Sequence, residues 1–137
     1  MHGFVAPLKI STLLVMTPDR RSALLEGLEA CGIEVLPVSD CEEARRILRE
    51  RPPLQVVLTD EALPDGNWSS VLQEVWRNEV PAATIVCTRV GDPGLWLHVL
   101  ARGVYDLLVA PYDNGEVRRI IEGAAAESQM WSEAVAI

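Results

Sequence analysis

A chain of 137 residues falls in the size range of one domain, and folding at this length buries roughly two-thirds of the unfolded surface. Hydrophobic residues make up 49% and charged residues 23%, the balance of a soluble globular protein. The formal net charge is -8 with no Lys/Arg run, which argues against a nucleic-acid backbone as a direct partner.

Cys31, Cys41 and Cys87 form an odd set without metal-ligand spacing, so reduced thiols in a cytoplasmic protein are expected. Met1 to Leu8 lacks the cationic start and apolar core of a signal peptide. No apolar run approaches the roughly 20 residues of a membrane helix.

Ile10 to Met16 reads as a first strand. Thr17-Pro18-Asp19 offers an N-cap hydroxyl and a proline for the first helical position. That helix is expected to run to about Ala30, with Leu24, Leu25 and Leu28 on one face and Gly32 as its stop. Glu34 to Val38 forms a second strand. Ser39-Asp40-Cys41-Glu42 has capping-box spacing and opens a helix to about Glu50, with Ala44, Ile47 and Leu48 inward.

Leu54 to Leu58 is an apolar run rich in β-branched residues after Pro52-Pro53, the pattern of a strand buried on both faces of a parallel sheet, and this third strand reaches Thr59. Asp60 stands where it stops being apolar, so its carboxylate is expected at the strand's carboxyl end, the edge where open α/β sheets bind ligands. Pro64-Asp65-Gly66 then turns the chain toward a third helix, with Val71, Leu72, Val75 and Trp76 at helical spacing.

Ala83 to Thr88 is the fourth strand. Asp92-Pro93 caps a fourth helix to about Arg102, ended by Gly103. Tyr105 to Val109 is the fifth strand. Asp113-Asn114-Gly115-Glu116 opens the fifth helix through Ile120 and Ile121, and the Ala/Glu-rich chain from Ala124 is expected to fray.

Alternating strands and helices imply one flavodoxin-like, doubly wound α/β domain: five parallel strands flanked by five helices. Its core spans about 9–124, with a tail at 125–137. Right-handed crossovers bring the strand C-termini to one edge, around Thr17, Asp60, Thr88 and Ala110.

The spacing of these residues resembles the receiver domain of response regulators in two-component signalling, from about Lys9 to Ala124. The carrying residues are Asp60 with Leu63-Pro64-Asp65-Gly66 after it, Thr88 ending the fourth strand, Gly103 before the fifth, and Pro111-Tyr112 after it. The resemblance implies Asp60 as the acceptor of a phosphoryl group from a histidine kinase and Thr88 as the switch hydroxyl. It implies Mg²⁺ held by acids after the first strand, and a lysine before the proline.

The departures are specific. Thr17 and Pro18 stand where metal-binding acids are expected, Asp19 follows one residue late, and Ala110 replaces the lysine. Leu107 stands at the switch-aromatic position, with Tyr105 two residues earlier on the same strand face. Phosphoryl transfer depends on positioning and charge neutralisation. The reading is therefore a degenerate receiver acting through protein contacts: no enzyme, and no cofactor unless Asp19 and Asp60 still hold Mg²⁺. The alternative is a competent receiver accepting phosphate on Asp60.

Arg89, where receivers carry a small residue, is a candidate charge partner for Asp60. The resemblance implies that the face of the fourth helix, fifth strand and fifth helix meets an output domain or a second copy in a homodimer, with Trp96 and Tyr105 as interface candidates. His98 is expected as a partly exposed helix residue. A nucleotide-binding or enzymatic reading is disfavoured because Met16-Thr17-Pro18-Asp19 contains no glycine-rich phosphate cradle.

Overall fold

A computed structural model describes residues 10–89 and 93–135. Five parallel strands form the sheet: β1 (Ser11–Val15), β2 (Glu34–Val38), β3 (Val56–Asp60), β4 (Ala83–Thr88) and β5 (Asp106–Val109), in the order β2-β1-β3-β4-β5. The helices are α1 (Pro18–Ala30), α2 (Cys41–Arg49), α3 (Trp68–Arg77), α4 (Pro93–Ala101) and α5 (Asn114–Val135). Among the described residues no helix is long and apolar enough to cross a membrane.

Strand alternation explains the layers. Leu14 and Met16 of the first strand segment face a core shared with Leu24 and Leu28 of α1 and Ile121 of α5. Leu13 and Val15 face the opposite layer, with Leu48 of α2 and Val71 and Val75 of α3. A smaller cluster of Trp68, Leu72, Val86, Val99 and Leu107 seats α4. Strands β3 and β4 are buried along their whole length, as expected of central parallel strands covered on both faces. The order reverses between β1 and β3, so the chain leaves their carboxyl ends in opposite directions and opens a crevice there.

Several boundaries differ from the sequence reading for local reasons. The α2 capping box is shifted by one residue: Asp40 Oδ1 accepts from the Glu43 N–H at 2.8 Å, while Glu43 Oε2 accepts from the Ser39 N–H at 2.6 Å. Asp65 adds a second cap, accepting from the N–H groups of Cys41 and Glu42 at 2.8 and 3.0 Å. The Pro64-Asp65 turn sits in a small antiparallel ribbon, Ala62–Leu63 against Gly66–Asn67. Trp76 is 50% exposed, not core.

The expected fraying after Ala124 does not occur, and α5 continues to Val135. Ser128 is buried, and its hydroxyl donates to the Pro81 carbonyl, tying the overrunning helix to the domain. Gly103, at φ 94, makes the turn after α4. The cap expected from Asp92 lies outside the described residues.

Candidate functional site

Asp60 is the last residue of β3 and only 1% exposed. Its neighbours across the sheet hold it there, because β3 pairs with β1 on one side and β4 on the other, with Asp60 opposite Cys87. A carboxylate so placed needs a compensating group, since burying it alone costs several kcal/mol, of order 3–5.

The compensation comes from α1. The Arg20 guanidinium donates from Nη2 to Asp60 Oδ1 at 3.0 Å, and its Nε lies 2.5 Å from Oδ2. The second contact is an ion contact without hydrogen-bond alignment. Asp60 Oδ1 also accepts from the Glu61 N–H at 2.9 Å. Both carboxylate oxygens are thus engaged by one tethered cation. Burial pushes the Asp60 carboxyl above the ordinary range, and Arg20 pulls against it.

The charge partner assigned in the sequence to Arg89 is therefore Arg20. Arg89 is exposed and acts on Asp60 only as the weakest of the named charges. Helical periodicity carries the missed signal. Arg20 lies four and eight residues before Leu24 and Leu28, on the same inward stripe, and one turn further puts it over the sheet edge.

Asp19 is fully exposed, and its hydrogen bond with the Thr17 side chain is the main reason its carboxyl is held below the usual range. Thr17 makes no side-chain capping hydrogen bond to the helix backbone. Thr88 is 2% exposed, and its hydroxyl donates to Glu61 Oε1 at 2.7 Å. Glu61 is a second participant the sequence reading did not identify.

Under the crevice, Cys87 is fully buried and Tyr112 lies beside it. Burial pushes both the thiol and the phenol well up. Ala110, in the lysine position, hydrogen-bonds through its N–H to the Thr88 carbonyl at 2.8 Å. Cys31, Cys41 and Cys87 are all free thiols.

The interface candidates separate. Trp96 is 46% exposed and Leu97 64% on α4, and Val109 is exposed on β5. Tyr105 does not share a face with Leu107. It precedes β5, so strand alternation does not yet apply, and it packs half-buried with the α1/α5 core, against Gly123. Leu107 belongs to the α4 cluster instead. His98 is exposed and meets Trp68 edge-on at 5.6 Å.

A receiver fold implies a magnesium ion at this edge, and the residues here do not fit one. Arg20 covers the Asp60 oxygens, Asp19 is exposed, and Thr17 and Pro18 supply no carboxylate. Among the described residues no three His, Cys, Asp or Glu side chains gather as a metal set.

No protein-family model matches the chain. It is 28% identical over 107 residues to the response regulator protein PilR of Pseudomonas aeruginosa, covering 78% of this chain and 24% of PilR. The chain thus spans about a quarter of that relative's length. In structure it resembles a response regulator receiver domain protein from Clostridium thermocellum, with a TM-score of 0.79 and 23% identity over 90% of this chain and 99% of the other. It also resembles the receiver domain of sensor histidine kinase PA1611 from P. aeruginosa PAO1, solved with a magnesium ion in its active-site cleft. There the TM-score is 0.75 and the identity 24%, over 87% and 99% of the two chains. The beryllofluoride-activated NtrC4 receiver domain dimer aligns with a TM-score of 0.77 at 23% identity, over 86% and 98%. These likenesses fix the flavodoxin-like fold.

Proposed function

We propose that this chain, a response-regulator receiver domain of two-component signalling, is a degenerate one that works through protein contacts without accepting a phosphoryl group. The observation that carries the reading is Arg20 on Asp60. A phosphoryl donor must bring its phosphorus within bonding distance of a carboxylate oxygen, and here both oxygens are engaged by a guanidinium. A divalent ion would have to displace that tethered cation, with no lysine at Ala110.

In this reading the domain is a cytoplasmic signalling module and not a catalyst. Its partners are a histidine kinase or other signalling protein, an output domain, or a second copy. They meet the surface of α4, β5 and α5, where Trp96, Leu97 and Val109 are exposed. Tyr105 lies on the other layer, half-buried against Gly123 of α5. The test is intact mass after incubation with acetyl phosphate and Mg²⁺, on wild type and Asp60→Asn, beside a competent receiver as control. The expected result is no adduct on either. An adduct on the wild type alone would establish the competent reading, with Asp60 as acceptor and Thr88 as switch.

A further inference from the structure

Residue 61 makes a separate attachment to each of its neighbours. Its backbone N–H donates to the Cys87 carbonyl at 2.9 Å, tying it to β4. Its carbonyl accepts from the Trp68 N–H at 3.2 Å, tying it to the first residue of α3. Its side chain accepts the Thr88 hydroxyl at 2.7 Å.

Trp68 in turn carries α4. Its ring meets the His98 imidazole edge-on at 5.6 Å, and the Arg102 guanidinium lies 5.8 Å from its centroid. Arg102 also reaches Ser69 Oγ at 3.3 Å. Apart from the small cluster around Val99, α4 is mostly exposed, so these polar attachments matter to its position.

We infer that the Glu61–Thr88 hydrogen bond is a latch that fixes the end of β4, and through it α4, in one position. The Glu61 carboxylate is the acceptor that keeps the Thr88 hydroxyl turned inward with no ligand on Asp60. Two adjacent carboxylates thus have different partners: Asp60 has the α1 guanidinium, and Glu61 has the β4 hydroxyl. The regulatory meaning of the latch rests on the receiver reading above, because α4 is the surface that reading assigns to partners.

The experiment is amide hydrogen exchange of the α4 segment in the full chain, without Mg²⁺ or phosphoryl donor, with β1 and β3 as internal references. Glu61→Ala and Thr88→Val should each speed α4 exchange by roughly tenfold, the factor for losing one hydrogen bond to a carboxylate. The double variant should exchange no faster than either single one, because both remove the same bond. Glu61→Gln keeps an acceptor oxygen and should return to within about twofold of wild type. Unchanged α4 exchange in Glu61→Ala overturns the latch, and so do single effects that multiply in the double variant. Should Thr88→Val fail to fold, Glu61→Ala against Glu61→Gln decides alone, and equal exchange in the two overturns it. A phosphoryl adduct on Asp60 would overturn the function proposed above and leave this result standing, while flat α4 exchange would do the reverse.

Discussion

Arg20→Ala removes the guanidinium that lies 2.5 Å from a carboxylate that is 1% exposed. Stripping one partner from a buried ion pair costs about 3–5 kcal/mol. The Arg20 side chain is 26% exposed, so water enters the vacated space, and the loss should be nearer ~2–3 kcal/mol at neutral pH. The pH dependence has a definite sign. Burial already raises the Asp60 carboxyl, and losing Arg20 raises it further. A carboxyl whose folded value lies above its unfolded value of about 3.9 destabilises the fold fully above the folded value and not at all below the unfolded one. The deficit of Arg20→Ala should therefore shrink as pH falls from neutral toward about 4. Asp60→Asn in the same background should recover most of it, because an amide carries no charge to strand. Urea unfolding of wild type, both single variants and the double, at pH 7 and pH 5, makes the measurement. An Arg20→Ala protein within about 0.5 kcal/mol of wild type at pH 7 would refute the ion pair. A double variant no more stable than Arg20→Ala would refute the assignment of the stranded charge to Asp60.

Two further outcomes follow from the frame of the site. Asp65→Ala should cost about 1 kcal/mol, the usual loss for an exposed helix cap, because Asp65 holds the Cys41 and Glu42 N–H groups at the start of α2. Burial pushes its carboxyl up, but those two N–H groups outweigh it and hold it low. Its contribution is thus present above the unfolded value and lost as pH falls through the folded one, and thermal melts from pH 7 to pH 3 should show the variant converging on wild type. Gly103→Ala places a Cβ in a backbone at φ 94 and 2.8 Å from the Trp76 ring, which should cost about 1–3 kcal/mol. A melting point equal to wild type would show that this turn relaxes freely.

The architecture was legible because its signals are local and redundant. The β4 run Ala83–Thr88 reads without error, since six consecutive buried residues leave no polar break to misplace an end. The start of α1 is marked by Pro18, and its stop by Gly32 at φ 76. Legibility fails where the deciding interaction is nonlocal. Ser128 looks like one more residue of an Ala/Glu-rich tail until its hydroxyl meets Pro81, 47 positions away. Arg20 looks like a solvated charge in a first turn until the fold brings it to Asp60, 40 positions on. Tyr105 was placed on the wrong layer because alternation was carried one residue beyond the strand that enforces it. The sequence reading named Asp60 and Thr88, and both sit at the carboxyl edge of the sheet. Arg20 as the partner of Asp60 is visible only once α1 is laid across the sheet.

Under the proposed function, a guanidinium in place of a metal ion changes what the site can respond to. A bound metal ion is exchangeable, so a site that depends on one follows ion concentration and competes with chelators. A guanidinium carried on α1 is present at fixed stoichiometry and engages both carboxylate oxygens. It also joins two elements, because the same contact that neutralises Asp60 pins the first turn of α1 to the end of β3. The net contribution of such a pair to stability is small, since the desolvation of both ions largely offsets their attraction. What the pair specifies is the arrangement of the edge: Asp60 occupied, Glu61 turned to Thr88, and Trp68 set beneath α4. Under the proposed function, variation in signal must then enter through the exposed apolar surface of α4 and β5, where Trp96, Leu97 and Val109 meet solvent, and not through chemistry at the carboxylate.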